Sequence, residues 1–235
     1  MIFEITDRIF TDYPEALVGV VIARDIDNAG EAPQIDRFLK EQEARVIDAM
    51  SRANMLEDPR ISSWREAYRK FGAKPQKYYS SVESLVRRVV NGQKIPNINK
   101  LVDIYNGVSL KYIVPAGGED LDRIRGDVAL TIAGDGEAPI LLIGERDERA
   151  PKRGEVIYRD EAGAICRRWN WREAERTKLT EGTRNAILVI EALKSEYRGA
   201  VEEATSEMAD LIKAHCGGSA RSAILDKTAP AIPLA

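Results

Sequence analysis

Ile98-Asn99-Lys100-Leu101-Val102-Asp103-Ile104-Tyr105-Asn106 sits where this chain changes character. Before it, apolar residues recur at helical spacing. After it come short apolar runs between Gly, Asp and Pro clusters: Val128–Ile132, Ile140–Ile143, Glu155–Tyr158, Ala164–Cys166 and Ala186–Ile190. Those are strand and turn signals. The stretch itself belongs to a helix over Asn97–Tyr112, entered after the interruption at Pro96. Helices gathered in the first half and short, turn-bounded strands in the second predict an α+β fold with a mostly antiparallel sheet packed with helices.

Working toward the N-terminus, Ser80-Ser81 caps a helix with Glu83 in the capping-box position, and that helix runs to Asn91-Gly92. Asp58-Pro59 starts another, which carries Trp64, Tyr68 and Phe71 and ends at Gly72. Ile35–Asn54 is helical, with Phe38, Leu39, Val46, Ile47 and Met50 as its buried stripe. Met1–Ile5 and Ala16–Ala23 read as strands. Toward the other end, Ser195–His215 is a polar helix stopped by Gly217-Gly218. The expected organisation is one domain over residues 1–218 and a C-terminal tail over 219–235 that packs weakly or docks on a neighbour.

Composition removes several function classes. The 235 residues are 44% hydrophobic, enough for a core without disulfides or metals. Cys166 and Cys216 make no CxxC pair and read as free thiols of a reducing compartment. The single histidine, His215, leaves no His-rich metal site and no Ser-His-Asp triad, so neither a metal nor a cofactor is expected. MIFEITDRIF lacks the form of a signal peptide, and no apolar run approaches the roughly 20 residues that span a bilayer. The expected location is cytoplasmic, with no membrane partner.

Charge is distributed unevenly. Between Arg60 and Lys94 nine basic residues face only Glu66 and Glu83, a local charge of +7 in a chain of net −3. Such a segment attracts phosphates or forms a solvated helix face balanced by acids elsewhere. Arg65, Arg69, Lys74 and Arg87 are the candidates for RNA phosphates.

Arg167-Arg168-Trp169-Asn170-Trp171-Arg172 is the second dense stretch. If extended, it places Arg167, Trp169 and Trp171 on one face and Arg168, Asn170 and Arg172 on the other. Tryptophan stacks on a base or an amino-acid side chain, arginine grips phosphate or carboxyl oxygens, and Asn170 offers a donor and an acceptor. Equally, Trp169 can be core and the arginines surface. Asp103 and Asn106 either face a ligand or brace the fold. Glu155 can face a pocket at the start of a strand, and Gly117-Gly118 makes a tight turn before Asp120 or an anion-binding nest.

The run Asn99-x-x-Val102-Asp103-x-x-Asn106, with Pro115 and Asp120 following, resembles the B3/B4 editing module of the phenylalanyl-tRNA synthetase β subunit. The whole chain resembles free-standing B3/B4-domain proteins through Trp64-Arg65, Tyr68-Arg69, Phe71-Gly72, Lys74-Pro75, Tyr78–Ser81 and Arg167–Arg172 with Arg176-Thr177. The synthetase motif carries a histidine after its proline, where this chain reads Pro115-Ala116-Gly117-Gly118. The resemblance implies a B3/B4-like fold and recognition of the acceptor end of an aminoacyl-tRNA, with no DNA partner. It implies a hydrolase that deacylates mischarged tRNA in trans. On that reading Asn106, Asn170 and Arg168 surround the ester, Asp103 or Glu155 binds the α-ammonium, and Trp169 closes the amino-acid pocket, with Arg167 and Arg172 beside it. The alternative is a module that binds tRNA, an amino acid or a small metabolite without turning it over. Which amino acid, which tRNA and which oligomeric state are not written in the sequence.

Overall fold

The β-branched run Leu17–Arg24 forms strand β2, buried along nearly its whole length because both of its edges are paired. The computed structural model describes residues 1–234. β8 (Ala186–Ala192) lies antiparallel on one side of β2, from Leu17↔Ala192 to Ala23↔Ala186. β9 (Ser219–Leu225) lies antiparallel on the other, from Val18↔Leu225 to Arg24↔Ser219. β3 (Ala116–Asp120) completes this sheet in the order β3-β8-β2-β9. The second sheet has six strands in the order β10-β1-β4-β5-β6-β7. They are β1 (Ile2–Ile5), β4 (Val128–Ile132), β5 (Val156–Asp160), β6 (Gly163–Arg167), β7 (Arg172–Glu173) and β10 (Ala231–Pro233). Among the described residues only β1 and β4 pair in parallel.

Alternation along β2 sorts the core into two layers. Val18, Val20 and Ile22 face inward to Phe3, Leu130, Val156 and Ile165 of the second sheet. Leu17, Val21 and Ala23 face outward, where α5 (Lys100–Tyr112) and α6 (Arg198–Cys216) cover them with Ile104, Val108, Val201 and Met208. α2 (Pro33–Ala49) packs on α5. α1 (Asp7–Asp12), α3 (Pro59–Lys70) and α4 (Ser81–Val90) border the inner layer, burying Ile9 and Phe10, Trp64 and Tyr68, and Val82 and Val86.

α6 approaches the sheet at Gly19. A methyl group there would collide with the Thr205 hydroxyl and stand 3.1 Å from Val201. Gly19→Ala is expected to cost about 1–3 kcal/mol through this overpacking, read as a lower denaturation midpoint at unchanged slope.

The helix starts follow from local chemistry. Asp58 accepts from the Arg60 amide at 2.9 Å, with Pro59 as the first helical residue. Ser80 accepts from the Glu83 amide at 3.4 Å, and Asn99 from Val102 at 3.1 Å. The capping box at Ser80 is one-sided. Glu83 turns away to take Arg65 at 2.6 Å and Arg87 at 2.8 Å.

Besides Ile47, which is 57% exposed and no part of the buried stripe of α2, three expectations change. Residues from Ser219 on are not a weakly packed tail. β9 covers an edge of β2 and β10 covers β1, with Leu225, Ile232 and Leu234 buried; Ala235 lies outside the described residues. Gly117-Gly118 lies within β3 and makes no tight turn, because β8 has a free edge to pair and the missing side chains let Glu173 approach. Ile140–Ile143 makes only the isolated bridges Ile140↔Arg149 and Leu142↔Ala174.

Candidate functional site

The inner faces of the two sheets part to leave a cavity of about 560 Å³. Phe3, Val128, Ile165, Ile187 and Val189 make its apolar walls, and α4 and α5 border it with Ser81, Ser84, Tyr105 and Asn106. Exposed Ser84 and Gly144 mark its mouth.

One wall is organised by Glu191. In β8 the alternation that points Ile187 and Val189 inward points Glu191 inward too. Its carboxylate accepts from the Tyr158 hydroxyl at 2.5 Å, the Trp169 indole N–H at 2.6 Å and the Asn170 amide at 2.7 Å. The Tyr68 hydroxyl donates to the Asn170 carbonyl oxygen at 3.0 Å. Burial pushes the Glu191 carboxyl up to about 7, held back from a larger rise by the three donors. Trp169, 1% exposed, is wedged edge-on between Tyr13 and Trp64, with ring centroids 4.8 and 5.1 Å away.

Two more glutamates face the cavity from the β3 and β7 side. Glu173 accepts from the Gly118 amide at 3.1 Å, and desolvation pushes it up to about 7. A Cβ at Gly117 would stand 2.7 Å from the Glu173 Oε1, so glycine is what lets this carboxylate lie against β3. Glu119 is 7% exposed, and burial first, then the charge of Glu173, raise its carboxyl well above the usual range. Among the described residues its Oε2 has no hydrogen-bond partner, and no group of His, Cys, Asp or Glu side chains is arranged to hold a metal ion.

Asn106 arrives from α5. It is 9% exposed, it lines the cavity, and among the described residues its amide makes no side-chain hydrogen bond. The rest of the residue is buried, but the amide itself opens onto the cavity, where a ligand can meet it.

The structure brings together Asn106, Asn170, Trp169 and Arg172 of the sequence candidates; it places the others elsewhere. Asp103 leaves the cavity to brace its own helix entrance, accepting from the Ile98 amide and the Asn97 side chain, both at 2.9 Å. Glu155 is buried in a two-point ion pair with Arg167 at 2.8 and 2.9 Å and also accepts from the Arg168 amide at 3.1 Å. That carboxylate holds the turn in which Arg168 and Trp169 both take left-handed backbone angles, φ 48 and 66°. Strain at two successive non-glycine residues persists only where the surroundings enforce it. The Arg168 guanidinium stacks 3.7 Å from the Tyr78 ring and 4.3 Å from Trp171, outside the cavity lining.

The basic helices divide as well. Arg65 is buried, donating to Glu83 and to the Pro75 carbonyl at 3.0 Å, and Arg87 pairs with the same Glu83 while lying over Tyr79. Arg69 and Lys74 are exposed. Arg65→Ala is expected to cost about 2 kcal/mol in a chemical denaturation, because Glu83 stays buried and keeps only Arg87.

Sequence reasoning missed Glu119, Glu173 and Glu191. A lone glutamate carries no local mark of burial. The one available signal was the phase of β8, in which Glu191 shares a face with Ile187 and Val189.

No curated protein matches this chain. Among solved structures, it is similar to an N-terminal fragment of the phenylalanyl-tRNA synthetase β subunit from Pyrococcus horikoshii, at 12% identity and a TM-score of 0.48 over 93% of this chain and 50% of that one. It therefore spans half the length of that fragment. Residues 63–217, some two thirds of the sequence and the span that supplies nearly all of the cavity's polar wall, match the family model described as the B3/4 domain, and the chain belongs to that family.

Proposed function

We propose that the cavity receives the aminoacyl end of a tRNA and that the protein hydrolyses the ester in trans. The observation that carries this reading is the unpartnered amide of Asn106 opening onto a cavity that also holds Glu173, a carboxyl poised near neutrality. Membership of the B3/4 family supports it. The volume supports it too: about 560 Å³ lies in the roughly 300–1,000 Å³ range of small-ligand sites, enough for an aminoacyl group while an RNA stem stays outside.

The chemistry asks for little beyond these groups. An aminoacyl ester is already activated, so water can attack without a covalent intermediate. Glu173 takes a proton as the water oxygen bonds to the ester carbon. The Asn106 amide donates to the oxyanion that forms. Collapse breaks the bond to the ribose oxygen, which recovers the proton from Glu173, leaving free amino acid and uncharged tRNA. Asn170 has one side-chain oxygen and one amide hydrogen committed to Tyr68 and Glu191, which fixes its remaining N–H for the same ester. Trp169 acts through its hold on Glu191 as part of the wall. Arg69 and Lys74 carry the acceptor-stem phosphates, and Arg172 lies at the rim, 3.6 Å from Glu145. Nothing here requires a membrane, and no helix among the described residues is long and apolar enough to cross one.

The test is a panel of mischarged tRNAs incubated with purified protein. Ester loss above the spontaneous rate for at least one pair, reduced about 10²-fold by Asn106→Ala, is the expected result. Spontaneous rates throughout would reject hydrolysis and leave a binding module. Reversing charge at Arg69 and Lys74 together should weaken tRNA binding and flatten its logarithmic salt dependence by about one unit for each phosphate no longer neutralised. Unchanged affinity would remove both from the RNA path.

A further inference from the structure

We infer that the β3 side of the cavity is an ammonium site with Glu119 as its principal ligand, so that the protein accepts aminoacyl groups bearing a free α-amino group and rejects N-acylated ones. This rests on the reading just given, in which an aminoacyl group enters the cavity.

Three observations lead there. Glu119 is more than nine-tenths buried, lines the cavity and, among the described residues, leaves Oε2 without a hydrogen-bond partner. The Thr177 hydroxyl lies near enough to favour its ionised form but forms no hydrogen bond with any described residue, and Arg176, the cation whose charge reaches it, is held in two bonds to Asp160 at 2.9 and 3.0 Å. A buried carboxylate oxygen left in this way is unfavourable until a donor reaches it. Second, Glu173 and Glu191 face the same space. Among the described residues no lysine lines it, and Arg172 is the only arginine that does, standing at the rim. Burial holds these carboxyls toward their neutral form, and an entering cation would restore their charge, so the wall favours a positive ligand. Third, the remaining walls include Tyr158 and Trp169, aromatic rings that carry no cation among the described residues, whereas Trp171 already carries Arg168 and Arg172.

A primary ammonium satisfies all three at once. It brings three N–H donors in a compact head, one for the free oxygen of Glu119 and one for the oxygen of Glu173 that does not take the Gly118 amide. Acylating the amine removes the charge, takes away two donors and turns a carbonyl oxygen toward carboxylates. A site built around a hydrogen-bonded group rejects analogues that lack it far more strongly than an apolar pocket does.

Stable amides separate this claim from catalysis. Phenylalaninamide, leucinamide and valinamide carry the ammonium without an ester or RNA, and their N-acetyl forms are the controls. Calorimetric titration into the full chain is expected to show at least one free amide binding ten or more times tighter than its N-acetyl counterpart. Glu119→Gln should lower that ratio by tenfold or more while the N-acetyl affinity stays put. If Glu119→Gln fails to fold, Glu173→Gln reads the second carboxylate of the same wall and should also shrink the ratio. Equal binding of the two series, no binding of any free amide, or an undiminished ratio in a folded variant would each overturn the inference. Amide preference without tRNA deacylation would sink the hydrolase reading alone. Deacylation as fast for N-acetylaminoacyl-tRNA as for the free-amino form would sink the ammonium site alone.

Discussion

Glu173→Gln is expected to slow ester hydrolysis by about 10²–10⁴-fold, the range a positioned general base supplies. The glutamine keeps the shape and the contact with the Gly118 amide, so the loss of kcat at saturating substrate reports proton transfer, while weaker ammonium binding shows in KM. The pH profile distinguishes this from a packing defect. Glu173 must be ionised to act, and its carboxyl is pushed up to about 7. Wild-type turnover should therefore rise as pH climbs toward 7 and level off above it, and the variant should lose that rise. Stability moves the other way. A carboxyl raised above its unfolded value binds its proton more tightly in the folded state, so folding weakens as pH rises through the window between 4.5 and about 7. The variant should then be no less stable than wild type at pH 8. A less stable variant whose activity falls equally at every pH would remove Glu173 from the reaction.

The second large effect is on stability. Glu191→Ala removes the acceptor shared by Tyr158, Trp169 and Asn170 and leaves their donors buried together. At about 1–3 kcal/mol per unsatisfied group, less what local water recovers, the expected loss is about 4 kcal/mol. In a chain of this size that corresponds to a melting point lower by about 8–16 °C. Glu191→Gln keeps an acceptor oxygen and drops the charge, so it should cost far less. With the carboxyl raised from 4.5 to about 7 by burial, wild-type stability contributed by this residue falls on the order of 3 kcal/mol as pH rises across that interval. The glutamine variant should be flat there. Urea unfolding at pH 5 and pH 8 reads both quantities. If alanine and glutamine behave alike, the carboxylate is not what holds Trp169 and Asn170 in place.

How much of this was legible in the sequence depends on range. Asp58, Ser80 and Asn99 were readable as helix starts because a cap is settled within three residues. β3 and β9 were not, since Ala-Gly-Gly-Glu-Asp and Ser219–Leu225 are extended only because β8 and β2 offer them free edges. Asn106 was visible through the pattern around it. Asp103, three residues earlier on the same helix, turned back to the loop before it because two donors wait there. The reading of Arg167–Arg172 as a ligand-facing stretch mixed two jobs. Arg167 and Arg168 are fastened to Glu155 as scaffold, and the next two residues are what that scaffold presents.

β9 and β10 are separated by a short turn yet belong to different sheets, one against β2 and the other against β1. Among the described residues they are the last two strands in chain order, and together they tie one sheet to the other at their edges. Without them, β2 and β1 each carry a bare rim of unmet amides and carbonyls. One short hairpin split between two sheets thus seals both borders at once, and removing it would leave each open to pairing with a second chain.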